Sequence, residues 1–276
     1  MNAAESYALR IVEAGWATTI QDAGRVGRGA IGVPVAGPVD AASHAVANRL
    51  VGNSDHRAAF ETAGGLIVQA VRPIVVADTS TGRRSTLGAG ETFQVARHPA
   101  RAWSYLAVRG GVHVEPVLGS ASHDTLSGLG PPPVDADCRY AIGPDPGSEL
   151  AADLAPVRQL PDTVRVWPGP HVDRFVGGLA ALTGRRWTIG DDVSRVGARL
   201  RPGPFTTIAG APTSIPSAGL VPGAVQVTPG GEPIVMLCNH PTTGGYPVVA
   251  VVDPLDLPVV AQSRPGDQLR FRAVRR

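Results

Sequence analysis

The 276-residue sequence contains no lysine; all 25 of its basic residues are arginine. That absence excludes Schiff-base catalysis, a lysine general base, the lysine of a phosphate-binding loop and a biotinylated carrier lysine from this chain. Cysteine is nearly as scarce. Cys138 and Cys238 stand far apart, outside any CxxC or metal-ligand spacing, so no disulfide framework is expected, and with no cleavable apolar stretch at the N-terminus the expected compartment is the reducing cytoplasm. Charged residues make up only 17 % with a formal net charge of +2, and no basic run exceeds Arg83-Arg84, Arg185-Arg186 or Arg275-Arg276. Nucleic acid, which demands clustered cations, is not an expected partner. The longest apolar run, around Val248 to Val252, is too short to span a bilayer, so no membrane association is expected. The seven histidines form no HxH, HxxxH or HExxH pair, and no metal site is expected.

What abounds is glycine (34) and proline (26), set between short apolar runs in a chain that is 43 % hydrophobic. That combination excludes a disordered chain and calls for many tight turns joining short strands. Strands are expected at 7–13, 66–71, 73–77, 92–97, 102–109, 163–169, 187–189, 225–227, 234–237, 248–252 and 269–274. The apolar spacing of Val172, Phe175, Val176, Leu179 and Leu182, closed by Gly184, predicts a helix starting near Pro170. Each half thus holds several short strands and about one helix. This fits a mainly β protein of two small antiparallel barrels or sandwiches better than alternating βαβ units. The domains are placed at 7–150 and 160–276, with 144–162 as the linker.

The densest stretch is 19–53, TIQDAGRVGRGAIGVPVAGPVDAASHAVANRLVGN. Asp40 reads as the N-cap of a helix whose apolar stripe is Ala42, Ala45, Val46 and Leu50, with Ser43, His44 and Asn48 pointing elsewhere and Gly52 ending it. Ahead of it, glycines let backbone approach a ligand while Asp22, Arg25 and Arg28 stand nearby. A second dense stretch, MLCNHPTTGGYP, supplies Asn239, His240, Thr242, Thr243 and Tyr246 beside Gly244-Gly245, a set able to hold an amide, carboxylate or carbonyl oxygen as an oxyanion site does. Ser120, Ser122, His123 and Asp124 bring a hydrolase triad to mind, but without a GxSxG elbow a solvated loop is expected. Asp191 and Asp192 next to Arg195 predict an ion pair, Glu61 is placed under the first loop, and Arg109-Gly110-Gly111 permits a close backbone approach.

Nine segments, among them TIQDAGRVGRGAIGVPVAGPVD, LAVRGGV, WPGPHVDRF, SRVGARL, HPTTGGYPVVAVV and RPGDQLRF, occur in the order of a known family. The sequence resembles the biotin-dependent carboxyltransferase-like proteins called allophanate hydrolase subunit 2, which include KipA and one of the subunits of bacterial 5-oxoprolinase. The resemblance implies tandem cyclophilin-like β-barrels and a KipI-like partner (allophanate hydrolase subunit 1, or its 5-oxoprolinase counterpart). It implies one of three tasks: ATP-dependent opening of 5-oxoproline to glutamate shared among subunits, carboxyl transfer to urea, or regulation by binding a kinase-inhibitor protein. The first is favoured, because a lactam bearing a carboxylate suits an arginine plus an amide and hydroxyl cluster. ATP would act in the complex, on this subunit or another, and no covalent biotin belongs to this chain. The candidate catalytic residues are His240, Asn239, Thr242, Thr243 and Tyr246, with His240 moving a proton and Thr242, Thr243 and the Gly244-Gly245 N–H groups polarising a carbonyl. The candidate substrate-binding residues are Asp22, Arg25, Asp40, Asn48, Glu61, Arg109, Gly244 and Gly245, with Arg25 or Arg109 holding a carboxylate and the two dense stretches walling one pocket. Asn239 stands where the family usually has an acidic residue, which removes a possible carboxylate base.

Overall fold

The computed structural model describes residues 7–150, 152–157 and 159–274; the Arg275-Arg276 pair lies outside the described residues. The chain divides into two compact units, one made of the chain up to Val26 with Ala36–Arg158, the other of Gly27–Val35 with Gln159–Arg276. The first contains β1 (Tyr7–Glu13), β2 (Thr19–Gln21), α1 (Ala41–Leu50), β3 (Ala59–Thr62), β4 (Leu66–Ala70), β5 (Ile74–Asp78), β6 (Arg83–Leu87), β7 (Thr92–Val95), β8 (Ser104–Val108), β9 (Val112–His113) and β10 (Arg139–Ile142). They form two five-stranded sheets, in the orders β7-β4-β1-β10-β9 and β2-β3-β8-β5-β6.

The second of these sheets is covered on both faces, and its residues show it. Ile20, Phe60, Val76, Leu106 and Val108 point into the main core together with Leu9, Ile11, Leu66 and Val68 of the other sheet. The alternate positions Ala59, Ala77, Tyr105 and Ala107 pack under Ala47, Leu50 and Val51 at α1, where three alanines let the helix lie close. Every residue of β3 and β8 is therefore buried, and a strand without a wet face shows no alternation. That is why β2 and β3 escape a periodicity reading. The expected linker also proves to be partly structured: Ala155 donates to the Gly82 carbonyl and Leu154 bridges Arg83, so this stretch edges β6 in the first unit.

Helix α1 begins and ends where its local signals place it. Asp40 accepts from the Ser43 N–H at 3.0 Å, and Gly52, at φ 73°, donates to the Arg49 carbonyl. Its buried face differs from the apolar stripe: Ala42 is exposed, whereas His44, Ala47, Asn48 and Leu50 are buried. The polar pair can be buried because each finds main-chain partners, as described below.

The second unit contains β11 (Thr163–Pro168), α2 (Gly178–Thr183), β12 (Arg186–Val193), β13 (Gly197–Arg201), β14 (Ala218–Gly219), β15 (Ala224–Val227), β16 (Pro233–Met236), β17 (Thr243–Gly244), β18 (Val248–Val252), α3 (Leu257–Ala261) and β19 (Gln268–Ala273). Seven strands close a barrel in the order β11-β18-β15-β16-β13-β12-β19, leaving β14 and β17 as a separate two-stranded ribbon. The helix expected from Pro170 is a correction. Val172–Arg174 is a 3-10 turn, Phe175 is extended at φ −113° and ψ 139°, Gly177 takes a φ of 77°, and only at Gly178 does α2 start. Phe175 breaks the helical path to enter the barrel end, edge-on to Phe205 at 5.2 Å, where Trp187 is fully buried with its indole N–H on the Leu182 carbonyl at 2.7 Å. A short helix outside the expected elements, α3, adds Val259, Val260 and Ala261 to the buried set.

Candidate functional site

In the first unit the start of the glycine-rich loop turns Asp22 and Arg25 toward the 117–124 loop. The Asp22 carboxylate accepts from the hydroxyls of Ser120 (2.5 Å) and Ser122 (2.7 Å) and from the N–H groups of Ala121 (2.7 Å) and Gly24 (2.9 Å). Partial burial opposes its charge, yet these four donors hold its carboxyl below the usual carboxylate range. Arg25 is only 1 % exposed and donates to the carbonyls of Val117 (3.0 Å) and Ser122 (2.6 Å). Asp22 and Arg25 thus clamp the 117–124 loop onto the first loop. Ser120, Ser122, His123 and Asp124 are all buried, which corrects the solvated loop expected there. They form no triad, since His123 Nδ1 faces the Pro131 carbonyl and Asp124 takes the Ser127 hydroxyl and the Leu126 N–H. Arg28 is exposed, whereas the Arg25 guanidinium is enclosed by those carbonyls and forms no open phosphate cradle.

At the start of α1, Glu61 is fully buried on β3 and accepts from the Val39 N–H (2.8 Å) and the Tyr105 hydroxyl (2.7 Å), while Tyr105 accepts in turn from the Asp40 N–H (2.9 Å). Glu61 therefore does lie under the end of the first loop. Arg101 reaches the Ser43 hydroxyl at 3.2 Å and lies 3.9 Å from Asp40. Asn48 donates to the Arg57 carbonyl and accepts from Asn53, which ties the two ends of the α1–β3 connection. Arg109 grips Asp145 and the carbonyls of Val51 and Ser148, and Gly110 and Gly143 come so close that a Cβ on Gly110 would sit 2.4 Å from the Gly143 oxygen.

His44 illustrates how tightly this region is built. Its two ring nitrogens face the carbonyls of Asp55 (3.2 Å) and Gln21 (3.1 Å). Burial pushes its pKa below the ordinary value, against the pull of those carbonyls. A histidine held neutral by the fold stabilises above its unfolded pKa, and that stability is lost as pH falls through about 6.5 toward the folded value. The melting temperature is therefore expected to drop from about pH 7.5 to about pH 5.5, and His44→Gln to flatten that dependence; equal slopes in both proteins would contradict it.

In the second unit the TTGGY loop forms the rim of a cleft of about 620 Å³, within the usual range for small-molecule sites. Thr243, Gly244, Gly245 and Tyr246 line it together with Gln226, Arg199 and Asp191. Gln226 is buried on β15 and donates to the Tyr246 carbonyl at 3.0 Å. Gly244 lies directly on it, for a Cβ there would be 2.7 Å from Gln226 Nε2 and from Leu220 Cδ1. The Thr242 carbonyl accepts the Leu220 N–H, which helps hold β17 against β14. The acids do not pair as expected: Asp192 lies 3.4 Å from Arg199, which also bonds Glu232 at 2.8 Å, whereas Arg195 is buried and donates to Asn239 Oδ1 at 2.7 Å.

His240 is buried behind Pro241, a lining residue, with Nδ1 2.7 Å from the Pro241 carbonyl. A carbonyl only accepts, so Nδ1 is the donor in this contact. Gln226, the single polar residue of AVQV, and Arg199, one of the two arginines of GARLR, are lining groups that sequence reasoning missed. Among the described residues no group of three His, Cys, Asp or Glu could hold a metal, and no helix is long and apolar enough to cross a membrane.

The family described as Carboxyltransferase domain, subdomain A and B, matches residues 31–273. This chain belongs to that family. The carboxyltransferase-domain chain is 33 % identical to a 5-oxoprolinase subunit of Escherichia coli (strain K12), over 95 % of this chain and 90 % of that one. It superposes on the crystal structure of TTHA0988 with a TM-score of 0.85 at 32 % identity, covering 96 % of this chain and 56 % of that one. On the K. lactis urea amidolyase the TM-score is 0.89 at 26 % identity, covering 98 % of this chain and 19 % of that one. The chain thus spans about half of the first solved structure and a fifth of the second. The resemblance carried by the ordered segments holds over nearly the whole chain.

Proposed function

We propose that this carboxyltransferase-domain protein is a subunit of a 5-oxoprolinase complex that opens 5-oxoproline to glutamate with ATP, working with a KipI-like partner. The observation that carries this reading is the match to the E. coli 5-oxoprolinase subunit, which takes in nearly all of both chains. The cleft in the second unit supports it: Thr243 and the Gly244-Gly245 backbone line it and would polarise a lactam carbonyl, while His240, next to the lining Pro241 but not itself a lining residue, would take up a proton. ATP is assigned to a partner subunit, because the enclosed Arg25 leaves the first loop without a phosphate cradle. Asn239, spent on Arg195, acts as a positioning residue.

The test is reconstitution of the complex with and without this chain, reading glutamate release from 5-oxoproline plus ATP. Release that requires this chain is the expected result. No release with all subunits present, but ATP-dependent carboxylation of urea once a biotin carrier is added, would overturn it in favour of a urea-metabolising role.

A further inference from the structure

The first unit has a cleft of its own, about 460 Å³, at one end of its two sheets. Arg72 at the β4–β5 turn, Thr86 on β6, and Arg109 with its partner Asp145 supply its polar groups; Ile74 and Ile142 are among its apolar walls. Arg109 already holds a carboxylate there, its Nε 3.0 Å from both Asp145 oxygens and its Nη2 2.7 Å from one of them. The neighbouring Arg72 guanidinium and Thr86 hydroxyl, both on exposed residues, have no partner among the described residues. The lining charges, two arginines and one aspartate, leave a net +1. A free guanidinium and a hydroxyl next to apolar walls match one anionic head and a small apolar body.

We infer that this cleft binds a small monocarboxylate with an apolar body, its carboxylate on Arg72 and Thr86 beside the Arg109–Asp145 pair and its body against Ile74 and Ile142. The site is independent of the second-unit cleft and of the 5-oxoprolinase reading.

Titration of the full-length chain with isovalerate, acetate and inorganic phosphate, followed by NMR, tests it. Isovalerate is expected to bind saturably with a Kd in the millimolar range, and more tightly than acetate or phosphate. Arg72→Ala should weaken isovalerate about fivefold or more, and Asp145→Asn, by removing the competing charge, should tighten it about two- to fivefold. Neither residue is in the core, so both variants keep the wild-type melting temperature. The inference is overturned by an absence of saturation up to roughly 50 mM, by an unchanged Kd in Arg72→Ala, by weaker binding in Asp145→Asn, or by phosphate or acetate binding at least as tightly as isovalerate.

Discussion

Asp22→Ala is expected to lower the stability of the first unit by about 3–5 kcal/mol, because hydrogen bonds to a charged acceptor are individually worth about 1.5–3 kcal/mol and their losses here overlap. One carboxylate serves two hydroxyls and two backbone N–H groups, and its removal strands donors on a loop whose Ser120 and Ser122 are fully buried. For a unit of this size the melting temperature should fall by about 10–15 °C. Asp22→Asn, which keeps one acceptor oxygen but turns an N–H₂ toward a donor, should lose roughly half as much. A substrate-binding aspartate would behave otherwise, with the melting temperature held within about 2 °C and only KM raised. Thermal melts of both variants decide between the two roles.

The same contrast explains which parts of the molecule could be read from residues alone. Signals that act within one turn of chain were legible: the Asp40 cap, the Gly52 terminus, the alternation of YALRIVE and the β-branched run at 248–252 all appear where their local chemistry puts them. Signals that depend on what lies across the fold were not. His44 and Asn48 lie off the expected apolar stripe and are buried because distant carbonyls receive them. Phe175 fits a helical stripe, yet the barrel end takes it in an extended conformation. In the cleft, the glycines and hydroxyls of the TTGGY loop announce a rim by their density. The floor beneath it, Gln226, comes from a separate strand and becomes part of the site only when β15 and the β14–β17 ribbon meet.

That floor sets up the second large effect. Gly244→Val should lower kcat of the assembled complex about a hundredfold, the cost of moving positioned groups by about 1 Å, while the melting temperature falls by only a few degrees. The added Cβ meets Gln226 Nε2 and Leu220 Cδ1 at 2.7 Å, and both are ends of side chains that can swing aside, so the barrel itself survives. Gln226 can swing only by giving up the Tyr246 carbonyl, and with it the position of the Thr243–Tyr246 rim. The loss should therefore appear in kcat more than in KM, since the polarising groups are displaced while much of the cleft wall is not. An unchanged kcat in a fully assembled Gly244→Val complex would place turnover away from this cleft.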